Sequence, residues 1–456
     1  MERVNAWTTY GKREEKKVMD LGKAYRAFLD HGKTERECVR ETIRRAEKAG
    51  YAALETVQNL KAGDRVYVNT MGKAVQLYII GREPMEKGLN IVGAHIDSPR
   101  MDVKQNPLYE DSDLAYLDTH YYGGIKKYQW VALPLALHGV VAKKDGALVD
   151  VVVGEDEDDP VVGISDLLIH LSATQMDKKA SVVIEGEALD VIVGGKPLKD
   201  ADKEPVKAAI LAILKEKYAI EEEDFLSAEI EVVPAGKSRD FGLDRSMVIG
   251  YGHDDRVCAY AQIEAMLRIT DIPRYTCCCI LADKEEIGSV GATGMRARYF
   301  ENALAEIMNK AGDYSELKLR RALSNSRMLS CDVSAGFDPA YAAAFEKKNA
   351  AFLGKGVCFN KYTGSRGKGG SNDANAEYLG RLRAVMEAGK VTFQTAELGK
   401  VDVGGGGTIA YICALYGMDV IDSGVPVLSM HAPWEIISKA DLYEAVKAYH
   451  AFLLNV

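Results

Sequence analysis

Thr276-Cys277-Cys278-Cys279-Ile280-Leu281-Ala282 runs straight into Asp283-Lys284-Glu285-Glu286. A short run this apolar predicts a strand inside a sheet, buried beneath helices. Charged residues directly behind it predict a polar site at the strand's carboxyl end, where open α/β sheets place their ligands.

The same rhythm extends along the chain on both sides. Upstream, Asn90 to Ala94 reads as a buried strand ending at His95, after strands at Arg65 to Asn69 and Val75 to Ile80. Val18, Leu21, Tyr25 and Phe28 share one helical face, and a second helix is predicted from Glu35 to Ala49. Downstream of Gly242 the order is strand, loop, helix. Ser246 to Gly250, Met328 to Asp332 and Val425 to Met430 are strands, and Tyr260, Ile263 and Leu267 mark a helix. Ser438 and Asp441 have the spacing of a capping box. They open a closing helix buried along Leu442, Ala445, Val446, Tyr449 and Leu453. Alternating strands and helices predict an α/β fold, a mostly parallel sheet flanked by helices.

Between about Asn106 and Gly242 the texture changes. Trp130 to Ala142, Leu148 to Val153, Ser181 to Gly186 and Ala188 to Val193 read as strands, interrupted by one helix, Pro205 to Tyr218. We therefore expect two domains: residues 1–105 with 243–456, and an inserted β-rich domain at 106–242. A chain of 456 residues is long enough for both.

Five polar segments fall at or just beyond strand ends: His95-Ile96-Asp97, His253-Asp254-Asp255-Arg256, Asp283-Lys284-Glu285-Glu286, Cys331-Asp332-Val333 and Met430-His431-Ala432. Taken singly, each has an ordinary structural explanation, such as a satisfied histidine, a helix cap or a solvated face. Together they supply acids and two imidazoles, and buried carboxylates are costly unless paired or bound to a cation. That donor set suits a divalent transition metal. Adjacent glutamates suit a division of labour in which one binds metal and the other works as a base.

At these residues the chain resembles the aspartyl aminopeptidase family, peptidase family M18, in its bacterial form. The resemblance covers essentially the whole chain and rests on Ala94-His95-Ile96-Asp97-Ser98-Pro99, Asp283-Lys284-Glu285-Glu286-Ile287-Gly288-Ser289 and Ser429-Met430-His431. It implies a metalloaminopeptidase that removes an acidic or neutral N-terminal residue from peptides, using a metal-bridged water activated by Glu285. Two divalent ions per subunit follow, zinc first, with manganese or cobalt as alternatives. His95 and Asp332 would bind one, Glu286 and His431 the other. Asp254, in preference to Asp255, would bridge them through a cis peptide bond to Asp255. Asp97 would brace the His95 imidazole. The inserted domain would drive dimerisation and a hollow tetrahedral dodecamer. His170, donated to a neighbouring subunit's site, would stabilise an oxyanion, or else is a half-buried histidine of the β-rich domain. Lys361 is the candidate partner for an acidic substrate side chain, against the ordinary reading of a surface lysine. Gly405 and Thr408, in the glycine-threonine loop Gly404 to Thr408, would lie near the substrate. The basic, glycine-rich stretch Gly364 to Gly370 departs from the eukaryotic members.

Other readings are weaker. The related M42 peptidases share Asp-Asp-Arg and Glu-Glu motifs but are usually shorter, and the long insertion and the string His95-Ile96-Asp97-Ser98-Pro99 favour M18. Gly405, Gly407 and Ala410 form a G-x-G-x-x-A string, which would suit a dinucleotide-binding oxidoreductase but leaves the acids and histidines unexplained. A non-catalytic scaffold would have lost ligands, and no G-x-S-x-G string supports a serine hydrolase. A net charge of -9 argues against nucleic acid. No run approaches the ~18 apolar residues of a membrane span, and the N-terminus does not read as a signal peptide. The eight cysteines form no C-x-x-C pair and read as buried thiols in a reducing, cytoplasmic setting.

Overall fold

The computed structural model describes residues 3–364 and 366–456. Cys277–Ala282 forms a central strand with every side chain buried. Its alternate residues face opposite ways. Cys277, Cys279 and Leu281 enter one apolar layer with the helices Lys12–His31, His253–Leu267 and Lys439–Asn455. Cys278, Ile280 and Ala282 enter a second layer with Tyr299–Lys310 and Glu316–Ser324. Burying each large aliphatic side chain contributes about 1.5–3 kcal/mol, and these two layers hold the sheet between helices.

That strand belongs to a nine-stranded sheet. Its order is Ala52–Ala53, Arg65–Thr70, Ala74–Ile79, Cys277–Ala282, Asn90–His95, Arg327–Ser330, Asp419–Gly424, Val357–Asn360 and Phe393–Ala396. The four strands from Cys277–Ala282 to Asp419–Gly424 are mutually parallel. Antiparallel pairings join them to the strands on either side. Parallel alignment puts four carboxyl ends on one edge, with Ala282 paired to His95 and Ser330 to Gly93. A smaller five-stranded sheet, including Met247–Gly250 and Glu435–Ser438, leads into the helix His253–Leu267.

The chain forms two compact units. One comprises residues up to Asp97, Ser238–Met430 and Glu435–Val456; the other comprises Ser98–Lys237 and His431–Trp434. The smaller unit holds a seven-stranded sheet whose recorded pairings are all antiparallel. It closes on itself because Ala228–Pro234 pairs with both Arg100–Asp111 and Pro134–Ala142. Closure removes most of the free strand edge. The helix Pro205–Tyr218 forms with the bounds expected from the sequence.

Two local expectations are corrected. Residues 181–186 form no strand but run through a turn and a bend into the short 3-10 helix Gly186–Ala188, with Val182 half exposed. The place beside Leu114–Tyr122 is taken by Val191–Gly194. Ser438 does precede the last helix, but no side-chain cap bond forms. The Asp441 carboxylate accepts the backbone N–H groups of Gly354 and Gly356 instead, each at 2.7 Å.

Candidate metal centre

The parallel strands deliver the acids to one place. His95 ends its strand, Asp332 follows Arg327–Ser330 by two residues, and Glu285 and Glu286 follow Cys277–Ala282 after a turn. Lys284 occupies the left-handed region at φ 64°. The chain thereby turns back so that the N–H groups of Glu285 and Glu286 donate to the two Asp97 carboxylate oxygens, both at 3.2 Å. Gly424 gives Asp332 room: a Cβ there would lie 1.7 Å from the Asp332 carbonyl oxygen.

Asp254 and Asp255 enter from the start of the helix His253–Leu267, joined by a cis peptide bond. Glu435 accepts the Asp254 N–H at 3.0 Å. His95 Nε2 lies 3.1 Å from Asp254 Oδ1, 3.9 Å from Asp332 Oδ1 and 4.0 Å from Glu285 Oε2. Its Nδ1 lies 3.0 Å from the Asp97 carbonyl oxygen and 3.3 Å from Asp97 Oδ1. That second contact fixes the imidazole plane and leaves Nε2 facing the acids.

Three donor groups result: His95 with Glu285 and Asp332, His95 with Asp254 and Glu286, and Asp254 with Asp255 and Asp332. Within each, the ligand atoms lie within 4.8 Å of one another. His95, Asp254 and Asp255 are buried. Burial lowers the His95 imidazole, but its hydrogen bonds to Asp254 and Asp97 outweigh this and hold it well above its ordinary range. Burial, offset in part by the His95 charge and reinforced by Asp332, pushes the Glu285 carboxyl up to about 8. Burial and then the Asp332 charge raise Asp255 well above the carboxylate range. So many acids crowded around one histidine, with Asp255 Oδ1 lacking a hydrogen-bond partner among the described residues, fit divalent cations that take up charge from both carboxylate and imidazole donors.

The structure thus brings together His95, Asp97, Asp254, Glu285, Glu286 and Asp332. His431 is not in these donor groups; it falls with the smaller unit, its Nδ1 2.8 Å from the Gly124 carbonyl oxygen. His170 sits on an exposed turn of the smaller unit, Ile169–Leu171, so its half-buried alternative does not hold. Lys361 is half exposed and pairs with Asp373 at 3.5 Å. In the Gly364 to Gly370 stretch, Ser365 lies outside the described residues. Gly405 has φ 119°, in the region that favours glycine. Thr408 donates to Asp422 at 2.6 Å.

The G-x-G-x-x-A string lacks a dinucleotide-binding setting. The preceding strand stops at Ala396, and the helix that follows, Ala410–Ala414, has five residues. Sequence reasoning missed Glu435 and Asp422. Asp422 ends the apolar run Val420-Ile421, the same signal that marked Asp332. Burial first, countered by Thr408 and reinforced by Asp332, raises its carboxyl to about 7. All eight cysteines are free and buried, as their apolar setting predicts. No helix among the described residues is long and apolar enough to cross a membrane.

Comparison with known proteins agrees with this chemistry. The family profile described as aminopeptidase I zinc metalloprotease (M18) matches residues 28–453. A probable M18 family aminopeptidase 1 of Clostridium acetobutylicum is 61% identical over 459 residues, covering 100% of this chain and 98% of that protein. The crystal structure of an M18-family aminopeptidase from Thermotoga maritima matches with TM-score 0.96 and 45% identity over 100% of both chains. That of aminopeptidase I from Clostridium acetobutylicum matches with TM-score 0.92 and 58% identity over 99% of each. With the donor cluster at the sheet edge and these likenesses over the full length, the chain belongs to the M18 family of zinc metalloaminopeptidases.

Proposed function

We propose that this chain is a two-metal aminopeptidase that releases an acidic or neutral N-terminal residue from peptides. The observation that carries this reading is the convergence of His95, Asp254, Glu286 and Asp332 from separate parts of the chain on one cluster. His95 and Asp332 would hold one cation, Glu286 and His431 the other, and Asp254 would serve both. Zinc is the first choice of metal, with manganese or cobalt as alternatives. When bound, the cations supply Lewis acidity and lower the pKa of water.

The chain's own groups do the rest. Glu285 is the general base: it takes a proton from the attacking water and returns it to the leaving amine. Its position supports this role: Glu285 Oε2 lies 4.0 Å from His95 Nε2, at the donor cluster, where a carboxylate can reach a water held there. Asp97 orients His95 and, through two backbone bonds, the Glu285-Glu286 turn. Lys361 receives an acidic substrate side chain, and Gly405 and Thr408 line the site for the N-terminal residue. His170, supplied by a neighbouring subunit, stabilises the oxyanion.

The inserted β-rich domain, read at 106–242, is the dimerisation domain, and dimers assemble into a tetrahedral dodecamer. The exposure of Leu167, Leu168, Ile169 and Leu171 around His170 supports burial of this face by a second copy. The free thiols support a reducing, cytoplasmic setting.

A panel of aminoacyl substrates, run with chelator and then with zinc, manganese or cobalt restored, tests the reading. Activity that disappears with chelator and returns with metal supports it. So does a Glu285→Gln protein that keeps its metal and loses turnover by about 10²–10⁴-fold. Chelator-resistant cleavage, or full turnover by Glu285→Gln, contradicts it.

A further inference from the structure

Asp422 has no part in the metal cluster, yet it is 1% exposed and lies on the strand beside the one that leads to Asp332. In register it stands opposite Ser330, two residues before Asp332. Its Oδ1 accepts the Thr408 hydroxyl at 2.6 Å, and its Oδ2 has no hydrogen-bond partner among the described residues. Thr408 Oγ1 in turn accepts the Ala410 N–H at 3.2 Å. The hydroxyl is therefore held from both sides, with its proton directed at Asp422.

Thr408 ends a run of four consecutive glycines, Gly404 to Gly407. Glycine loses more freedom on ordering than any other residue. The loop is pinned on its other side by Gly404 N–H to Lys400 and by Gly406 N–H to the Thr363 carbonyl at 2.9 Å. The loop packs closely against the backbone before it, since a Cβ on Gly404 would meet the Leu398 carbonyl oxygen at 2.0 Å. A buried carboxylate is costly where an apolar residue would serve the sheet equally well. Its Thr408 donor, at 2.6 Å, belongs to this loop, and the Ser330 hydroxyl on the neighbouring strand also lies beside it. The bond thus orders a glycine loop before any substrate arrives, and ordering in advance strengthens binding.

We propose that Asp422 is a positioning residue that, through the Thr408 hydroxyl, locks the Gly404–Gly407 loop against the strand beside Asp332 and so sets how tightly the substrate's N-terminal residue is held. This rests on the aminopeptidase reading above, with Thr408 and Gly405 at the substrate.

The test is steady-state kinetics on the zinc-loaded full chain with one aminoacyl peptide series, with zinc content measured in parallel. Thr408→Val keeps the shape and removes the donor; Asp422→Ala removes the acceptor. Losing one charge-assisted hydrogen bond from a pre-ordered loop raises KM about tenfold. We expect that rise in both variants, with the double variant no worse than either single one, zinc content at the wild-type level, and Thr408→Ser recovering most of the loss. Wild-type KM in Thr408→Val overturns the proposal. So do additive effects in the double variant, or a loss confined to kcat with falling zinc. If Asp422→Ala does not fold, the Thr408→Val and Thr408→Ser pair still decides. A wild-type protein that cleaves nothing would refute the aminopeptidase reading itself, which is a separate outcome.

Discussion

Asp97→Asn is the perturbation whose outcome the geometry constrains most tightly. The side chain is fully buried, and its two oxygens accept the N–H groups of Glu285 and Glu286 at 3.2 Å each while Oδ1 lies 3.3 Å from His95 Nδ1. Asparagine has the same shape but turns one acceptor into an NH₂ donor. Whichever way it is seated, a donor then faces either a backbone N–H or the imidazole. One charge-assisted hydrogen bond is lost, worth about 1.5–3 kcal/mol. The change does not touch the metal donors themselves, so the loss is felt through the placement of Glu286 and His95. This agrees with the 10–100-fold weakening, about 1.4–2.7 kcal/mol, typical of removing a partner behind a metal ligand. We expect zinc affinity, measured by competition with a chromogenic chelator, to fall about 10–100-fold. Circular dichroism should show an unchanged fold. Zinc affinity within twofold of wild type would refute the idea that Asp97 organises the site.

Three further outcomes follow from the same structure. In the metal-free protein His95 is held well above its ordinary range by Asp254 and Asp97 despite burial, and burial holds Glu285 up to about 8. Metal binding at pH 7 then displaces protons, and zinc affinity should weaken by about one decade for each pH unit of acidification per proton displaced. Zinc titrations in buffers of different ionisation enthalpy check this, and heats independent of buffer would contradict it. Lys361→Ala should raise KM for substrates with N-terminal Asp or Glu and leave neutral ones unaffected; equal loss across the panel would remove its specificity role. Ile280→Ala opens a cavity inside the second apolar layer and should cost about 2–5 kcal/mol in denaturant unfolding, with a change under 1 kcal/mol contradicting the packing described.

Much of this architecture is legible in the residues alone, for a definite reason. Cys277–Ala282 and Asn90–His95 carry no polar side chain that could disguise a doubly buried strand except Asn90 and His95 at the ends. Parallel pairing then carries the acids behind them to a common edge. Illegible features depend on partners far off in sequence. The spacing of Ser438 and Asp441 is that of a capping box, but Asp441 is claimed by Gly354 and Gly356 across the fold. Glu435 reaches the Asp254 N–H from 181 positions away, and nothing local marks it. Asp422 was within reach, since it repeats the apolar-run-then-acid pattern of Asp332. Exposure of His170 could not be read from its apolar neighbours, because Leu168, Ile169 and Leu171 look like core and are themselves exposed.

The proposed chemistry requires cations seated among His95, Asp254, Glu286 and Asp332. Anomalous diffraction at the zinc edge from zinc-loaded crystals measures this directly. We predict two peaks per subunit, about 3.5–4 Å apart, one against His95 and Asp332, the other against Glu286, with Asp254 touching both. A single peak, or peaks away from these side chains, would contradict it.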